Sequence, residues 1–128
     1  MLVVDAANVV GSRPNGWWRD RAKAAKDLCA GLLAAVDAGR LDAPVIVVLE
    51  GAARPGSAEG EVRGLRVVHA AGSGDDAIVE LVELVERAEP ELTGNQTVTV
   101  VTADRGLRDR VTQAGADVCG PRWLLDRI

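Results

Sequence analysis

Short runs of uninterrupted apolar residues alternate with longer stretches of helical periodicity, and this alternation constrains the fold most. Leu2–Asp5, Val45–Leu49, Leu65–His69 and Thr97–Thr102 are each too short for a helix. They are also too continuously apolar for strands with one wet face. Val118–Cys119 adds a short fifth candidate. Between them, residues from Arg19 to about Ala38 place Ala22, Ala25, Leu28, Cys29, Leu32, Leu33 and Val36 at three- and four-residue spacing, and Gly39 closes the helix. Asp75 to about Ala88 forms a second helix, stopped near Pro90. Arg105 to about Ala114 forms a third, and Pro121 opens a terminal helix carrying Trp123, Leu124 and Leu125. Strands apolar on both faces, alternating with helices, predict a three-layer α/β/α fold around a parallel sheet of four to five strands. Residues 51–64, rich in Gly, Ala, Pro and Ser, read as a mobile loop, and GSRPNG at 11–16 as turn.

The 128 residues suit one domain with one core, residues 1–128. Phe and Tyr are absent, so the core must come from Val, Leu, Ile and Ala. No apolar run approaches the roughly 20 residues that span a bilayer, and MLVVDAANVV reads as a buried strand rather than a signal peptide. A cytoplasmic setting is expected, with no membrane partner. Cys29 and Cys119 show no metal-ligand spacing and read as small buried hydrophobes. The net charge of −4 is uneven. Residues 75–91 carry seven acids and one base, which leaves the remainder at +2, with bases gathered at Arg13, Arg19, Arg21, Lys23 and Lys26 and at Arg105, Arg108 and Arg110.

In a parallel sheet, ligands bind beyond the carboxyl ends of the strands. Asp5 ends the first strand and Asn8 follows it. Asp75 and Asp76 follow the third, and Asp104 follows the fourth by two residues. Carboxylates delivered to one sheet edge from separate segments repel one another unless a cation sits among them. Oxygen-only ligands of this kind suit Mg²⁺ or Mn²⁺, and the natural use of such an ion is hydrolysis of a phosphodiester. Each residue also has a plainer use. Asp5 and Asn8 are ordinary turn residues. Ser73-Gly-Asp-Asp76 matches a capping box, and Asp104 can cap its own helix. Glu80 lies one turn from Asp76, whereas Glu83 and Glu86 read as a solvated face.

Trp17 and Trp18 adjoin Arg19 and Arg21. They can stack bases while the arginines hold phosphates, or one of them can plug the core. Trp123 reads as core packing, and His69 as a strand-end residue with its hydrogen bonds satisfied. There is no dinucleotide-binding G-x-G-x-x-G pattern, no Walker A motif and no G-x-S-x-G elbow. The acid pair after strand three, rather than strand one, argues against a phosphoacceptor receiver.

VVDAANVV resembles the opening strand of NYN domains, the PIN-like nucleases, including their YacP-type branch. GSGDDAIVELV is similar to the family's central helix opening, where Asp76 matches the motif aspartate better than Asp75 does. VVTADRGLRDRV resembles its third acidic motif. The likeness covers roughly residues 1–115. It implies a PIN-like fold and a metal-dependent ribonuclease in which Asp5, Asp76 and Asp104, with Asp75 beside them, hold Mg²⁺ or Mn²⁺. Asn8 would orient a ligand or water, and Arg105 would contact phosphate. Arg19, Arg21 and Trp18 complete the expected contacts to RNA, single-stranded or structured. A further Glu found in many PIN domains has no clear counterpart, and Glu50 after strand two is a loose substitute. Two other functions fit the same residues. One is Mg²⁺-dependent pyrophosphohydrolysis of a nucleoside triphosphate. The other is non-catalytic binding of RNA or a partner. A dimer is compatible with either.

Overall fold

The computed structural model describes residues 1–88 and 97–128, so the expected helix stop near Pro90 lies outside the described residues. The elements in order are β1 (Leu2–Asp5), α1 (Ala6–Gly11), α2 (Arg21–Asp37), β2 (Val45–Leu49), β3 (Gly60–Val62), β4 (Leu65–His69), α3 (Gly74–Arg87), β5 (Thr99–Val101), α4 (Arg105–Gln113), β6 (Asp117–Cys119) and α5 (Pro121–Leu125), with single 3₁₀ turns at Trp17–Arg19 and Gly51–Gly56. The sheet order is β3-β4-β2-β1-β5-β6, parallel throughout except for β3. Five parallel strands meet the expectation, and the antiparallel edge strand is an addition.

Alternation along each strand fills two cores. Leu2, Val4, Val45, Val47, Leu49 and Val101 face α1, α2 and α5. Val3, Val48 and Val100 face α3 and α4, against Ile78, Val82, Leu107 and Val111. Each face therefore buries a helical stripe, which is why β1 and β2 carry no polar residue before Asp5 and Glu50. No described helix is long and apolar enough to cross a membrane.

Three expectations need correction. Residues 6–11 form a helix, capped by the Asp5 side chain accepting from the Asn8 N–H. The segment 51–64 is not a mobile loop. It folds as a 3₁₀ turn against α2 and then as β3, joined to β4 by a two-residue turn in which Arg63 and Gly64 both take positive φ, as the tightest hairpins require. Trp123 lies at the surface rather than in the core, with the Arg127 guanidinium carbon 3.9 Å from its ring centroid.

Candidate functional site

Strand order reverses between β1 and β5. The chain leaves β1 into α1 on one face of the sheet and leaves β5 for α4 on the other. A crevice must open where the two connections diverge, and Asp5 lies at its floor.

Asp5 is only 5% exposed, yet it carries a carboxylate. Its Oδ2 accepts from the hydroxyl of fully buried Thr102 at 2.8 Å, and its Oδ1 accepts from the Asn8 N–H at 3.3 Å. Thr102 Oγ1 in turn accepts from the Asp104 N–H at 3.2 Å, and the Asn8 side-chain oxygen accepts from the Ala103 N–H at 2.9 Å. Asp5, Asn8, Thr102 and Asp104 are therefore one network tying the end of β1 to the end of β5. Asp104 also caps α4, its Oδ1 accepting from the Leu107 N–H at 2.9 Å. The plain reading of Asp104 holds, and the cap fixes its carboxylate at the start of α4.

Two more carboxylates complete the edge. Glu50, directly after β2, accepts from the Gly74 N–H at 2.7 Å. A Cβ on Gly74 would lie 3.2 Å from the Glu50 carboxyl carbon, so glycine allows this approach. Asp75 follows on α3. Burial pushes the pKa of Asp5 up; the hydrogen bonds from Thr102 and Asn8 oppose this, and the Asp75 and Glu50 charges reinforce it. Asp75 is raised by desolvation, then by Asp104 and Glu50, with Arg110 opposing and Asp76 adding to it. Segments that follow four strands thus bring Asp5, Glu50 and Asp104 within electrostatic reach of Asp75.

Asp76 is not brought to this cluster. Ser73 caps α3 by accepting from the Asp76 N–H at 3.1 Å. The Asp76 side chain is 67% exposed and turns to Arg110 on α4, at 3.0 Å. The helix cap therefore sets the phase that points Asp75 inward and Asp76 outward. Arg105 is exposed on the first turn of α4, while Glu80 stands exposed on α3. Glu50 has more contact with the cluster than a loose substitute would. The signal for it was present in the sequence, an acid at a strand end, the same as for Asp5. His69 behaves as expected, its ring Nε2 lying 2.7 Å from the Ser57 carbonyl and its N–H donating to Glu59 at 2.7 Å.

Among the described residues, no group of three or more His, Cys, Asp or Glu side chains is arranged to hold a metal ion as it stands. The donor chemistry nevertheless fits a hard divalent cation. It is all oxygen, it is mutually repulsive, and Mg²⁺ retains several waters and needs only one or two direct carboxylates. Replacing Thr102 with Val keeps the shape but strips a buried carboxylate of its hydroxyl donor. We expect a loss of roughly 2 kcal/mol, read as a fall of about 1 M in the urea midpoint.

On and after the 3₁₀ turn that precedes α2, Trp18 is 55% exposed, with the Arg19 guanidinium carbon 5.9 Å from its ring centroid, and Arg21 stands 5.3 Å over Trp17. No protein-family model matches the sequence, and neither does any curated protein. Solved structures do match. The crystal structure of Rae1 (YacP) from Bacillus subtilis aligns with a TM-score of 0.75 at 19% identity, covering 98% of this chain and 71% of that one. The structure of a mutant of the same protein gives 0.69 at 19% identity, covering 98% and 72%. The chain has a YacP-like α/β/α fold.

Proposed function

We propose that this chain is a metal-dependent ribonuclease, hydrolysing RNA phosphodiester bonds where Asp5, Glu50, Asp75 and Asp104 converge. One observation carries the reading. Segments that follow four strands deliver carboxylates to a single switch-point crevice, where burial first and the neighbouring carboxylate charges after it raise the pKa of Asp5 and of Asp75. The order of motifs resembling NYN domains, on a YacP-like fold, supports RNA as the substrate.

A divalent ion held there would supply charge neutralisation and a more acidic water. Asp5 would be the fixed ligand, since Thr102 and the Asn8 N–H hold both of its oxygens. Asp75 and Asp104 flank it, and Asp75 takes the part that the motif suggests for Asp76. Asn8, clamped to the Ala103 N–H, keeps the β1 and β5 ends in register rather than reaching freely into the crevice. Arg105, Arg19 and Arg21 offer positive charge to the phosphates, and Trp18 an exposed ring to a base.

A second reading draws on the lack of any preassembled three-carboxylate cage among the described residues. In it the domain binds RNA or a partner without cleaving. The test is incubation with Mn²⁺ or Mg²⁺ and end-labelled RNA, and separately with nucleoside triphosphates, comparing wild type with Asp5→Asn and Asp104→Asn. RNA cleavage that drops at least about 100-fold in both variants, with their circular dichroism unchanged, is the expected result. Binding without turnover favours the second reading. Release of pyrophosphate without RNA cleavage would overturn both.

A further inference from the structure

A groove of about 420 Å³ lies open at the other end of β1 from Asp5. Leu2 and Thr99, the first residues of β1 and β5, line it together with Cys119 of β6. α5 is only five residues long, and Thr99 and Cys119 stay half-buried beside it. Leu41 and Trp123 add apolar surface, and Asp42 supplies a carboxylate. Two guanidiniums, from Arg40 and Arg127, line the groove as well. Arg40 Nε donates to the Arg127 carbonyl at 2.9 Å, and Arg127 Nη1 donates to the Trp123 carbonyl at 2.7 Å. Main-chain oxygens rather than carboxylates therefore hold both side chains. Among the described residues neither is within ion-pair distance of an acid, so each keeps N–H donors to spare. Burial pushes the Cys119 thiol up, and the charges of Arg127 and Arg108 oppose it, so the positive field reaches into the groove.

The volume falls within the roughly 300–1,000 Å³ of ordinary ligand sites, and so does the make-up: apolar walls with a few placed polar groups. Two guanidiniums fixed by backbone carbonyls are preorganised for an anion with several acceptor oxygens, and their planar forks suit phosphate. A bare anion would leave the rest of the groove unused. Leu2, Leu41 and Trp123 offer contact to an apolar, flat group. Asp42 accepts hydrogen bonds from hydroxyls and repels a second negative charge. We propose that this groove binds a ribonucleoside monophosphate. Arg40 and Arg127 take the phosphate, Asp42 accepts from the ribose hydroxyls, and the base lies against the apolar walls. The groove shares no residue with the carboxylate crevice, so the proposal goes beyond the ribonuclease reading and stands without it.

Calorimetric titration with AMP and UMP tests it, in EDTA to keep divalent ions off the carboxylates. Saturable binding is expected, at least about tenfold tighter than that of adenosine or of inorganic phosphate. Arg40→Gln removes an exposed guanidinium and should weaken AMP binding about tenfold or more, with circular dichroism unchanged. A second measurement locates the ligand without any variant. Cys119 lines the groove, whereas Cys29 is buried elsewhere. Saturating AMP should therefore slow alkylation of Cys119 several-fold and leave that of Cys29 unchanged, as mass spectrometry of the two peptides would show. Inorganic phosphate or adenosine binding as tightly as AMP overturns the nucleotide assignment. AMP binding that survives Arg40→Gln, or that leaves Cys119 as reactive as before, overturns the location. No saturation by millimolar AMP or UMP overturns the site itself.

Discussion

On the ribonuclease reading, Asp75→Asn is expected to melt higher than wild type in metal-free buffer and to cleave RNA at least about 100-fold more slowly. Both outcomes have one cause. The carboxylate loses solvent on folding and gains Asp104 and Glu50 as neighbours, so its folded pKa lies above its unfolded value. A raised folded pKa means that protonation favours the native state. The associated stability is present below the ordinary carboxylate pKa and is lost as the pH rises through the folded pKa. At neutral pH wild type therefore carries the full repulsion, and the neutral amide removes it. Adding Mg²⁺ should raise the melting temperature of wild type more than that of the variant, because an ion that binds only the native state stabilises it in proportion to its affinity. Thermal melts in EDTA and in Mg²⁺, at pH 5 and pH 8, check each part. A variant that melts below wild type in EDTA would make Asp75 a structural residue. The same change at Asp76 removes its exposed contact with Arg110 and should leave cleavage within a few-fold of wild type.

Among the described glycines, Gly56→Ala is expected to be the most damaging single-methyl change. A Cβ there would collide with the Ala22 carbonyl oxygen and lie 2.9 Å from the Ala25 Cβ and 3.0 Å from the Lys26 nitrogen. Two of these three are backbone atoms of α2, which cannot rotate aside. Overpacking of this kind costs about 3 kcal/mol, or roughly 10 °C of melting temperature for a chain of this length. The damage also reaches the site. The turn Gly51–Gly56 follows Glu50 directly, so pushing it off α2 displaces that carboxylate. On the ribonuclease reading, cleavage should slow even at temperatures where the variant remains folded, as an assay in Mn²⁺ would reveal.

The layers of the fold were legible because the parallel strands are buried on both sides, and burial leaves a continuous apolar run. The strand order was not, since nothing local distinguishes a neighbour on the left from one on the right. Residues 6–11 were missed as a helix because a single six-residue turn is too short to display a period, and Asn8-Val9-Val10 looks like strand. Gly60–Val62 was missed for the opposite reason. All three of its residues are exposed, so no alternation marks it. Among the acids, Asp5 and Asp104 announced themselves as polar residues at the ends of apolar runs. Choosing between Asp75 and Asp76 needed the phase of α3, and the Ser73 cap that sets this phase turns Asp76 away. Glu50 carried the same strand-end signal as Asp5 but was set aside for want of a motif.

The bond from Thr102 to Asp5 joins positions 97 apart in sequence. It has a consequence for how the crevice comes into being. Until Thr99–Val101 docks, β1, apolar up to Asp5, has β2 on one side and an open hydrogen-bonding margin on the other, the kind of margin that recruits foreign chains. Docking of that late segment closes the margin and delivers Asp104 in a single event. Asp5 and Asp104 can therefore meet only once β5 has paired with β1, so any activity at the crevice should appear only with that pairing.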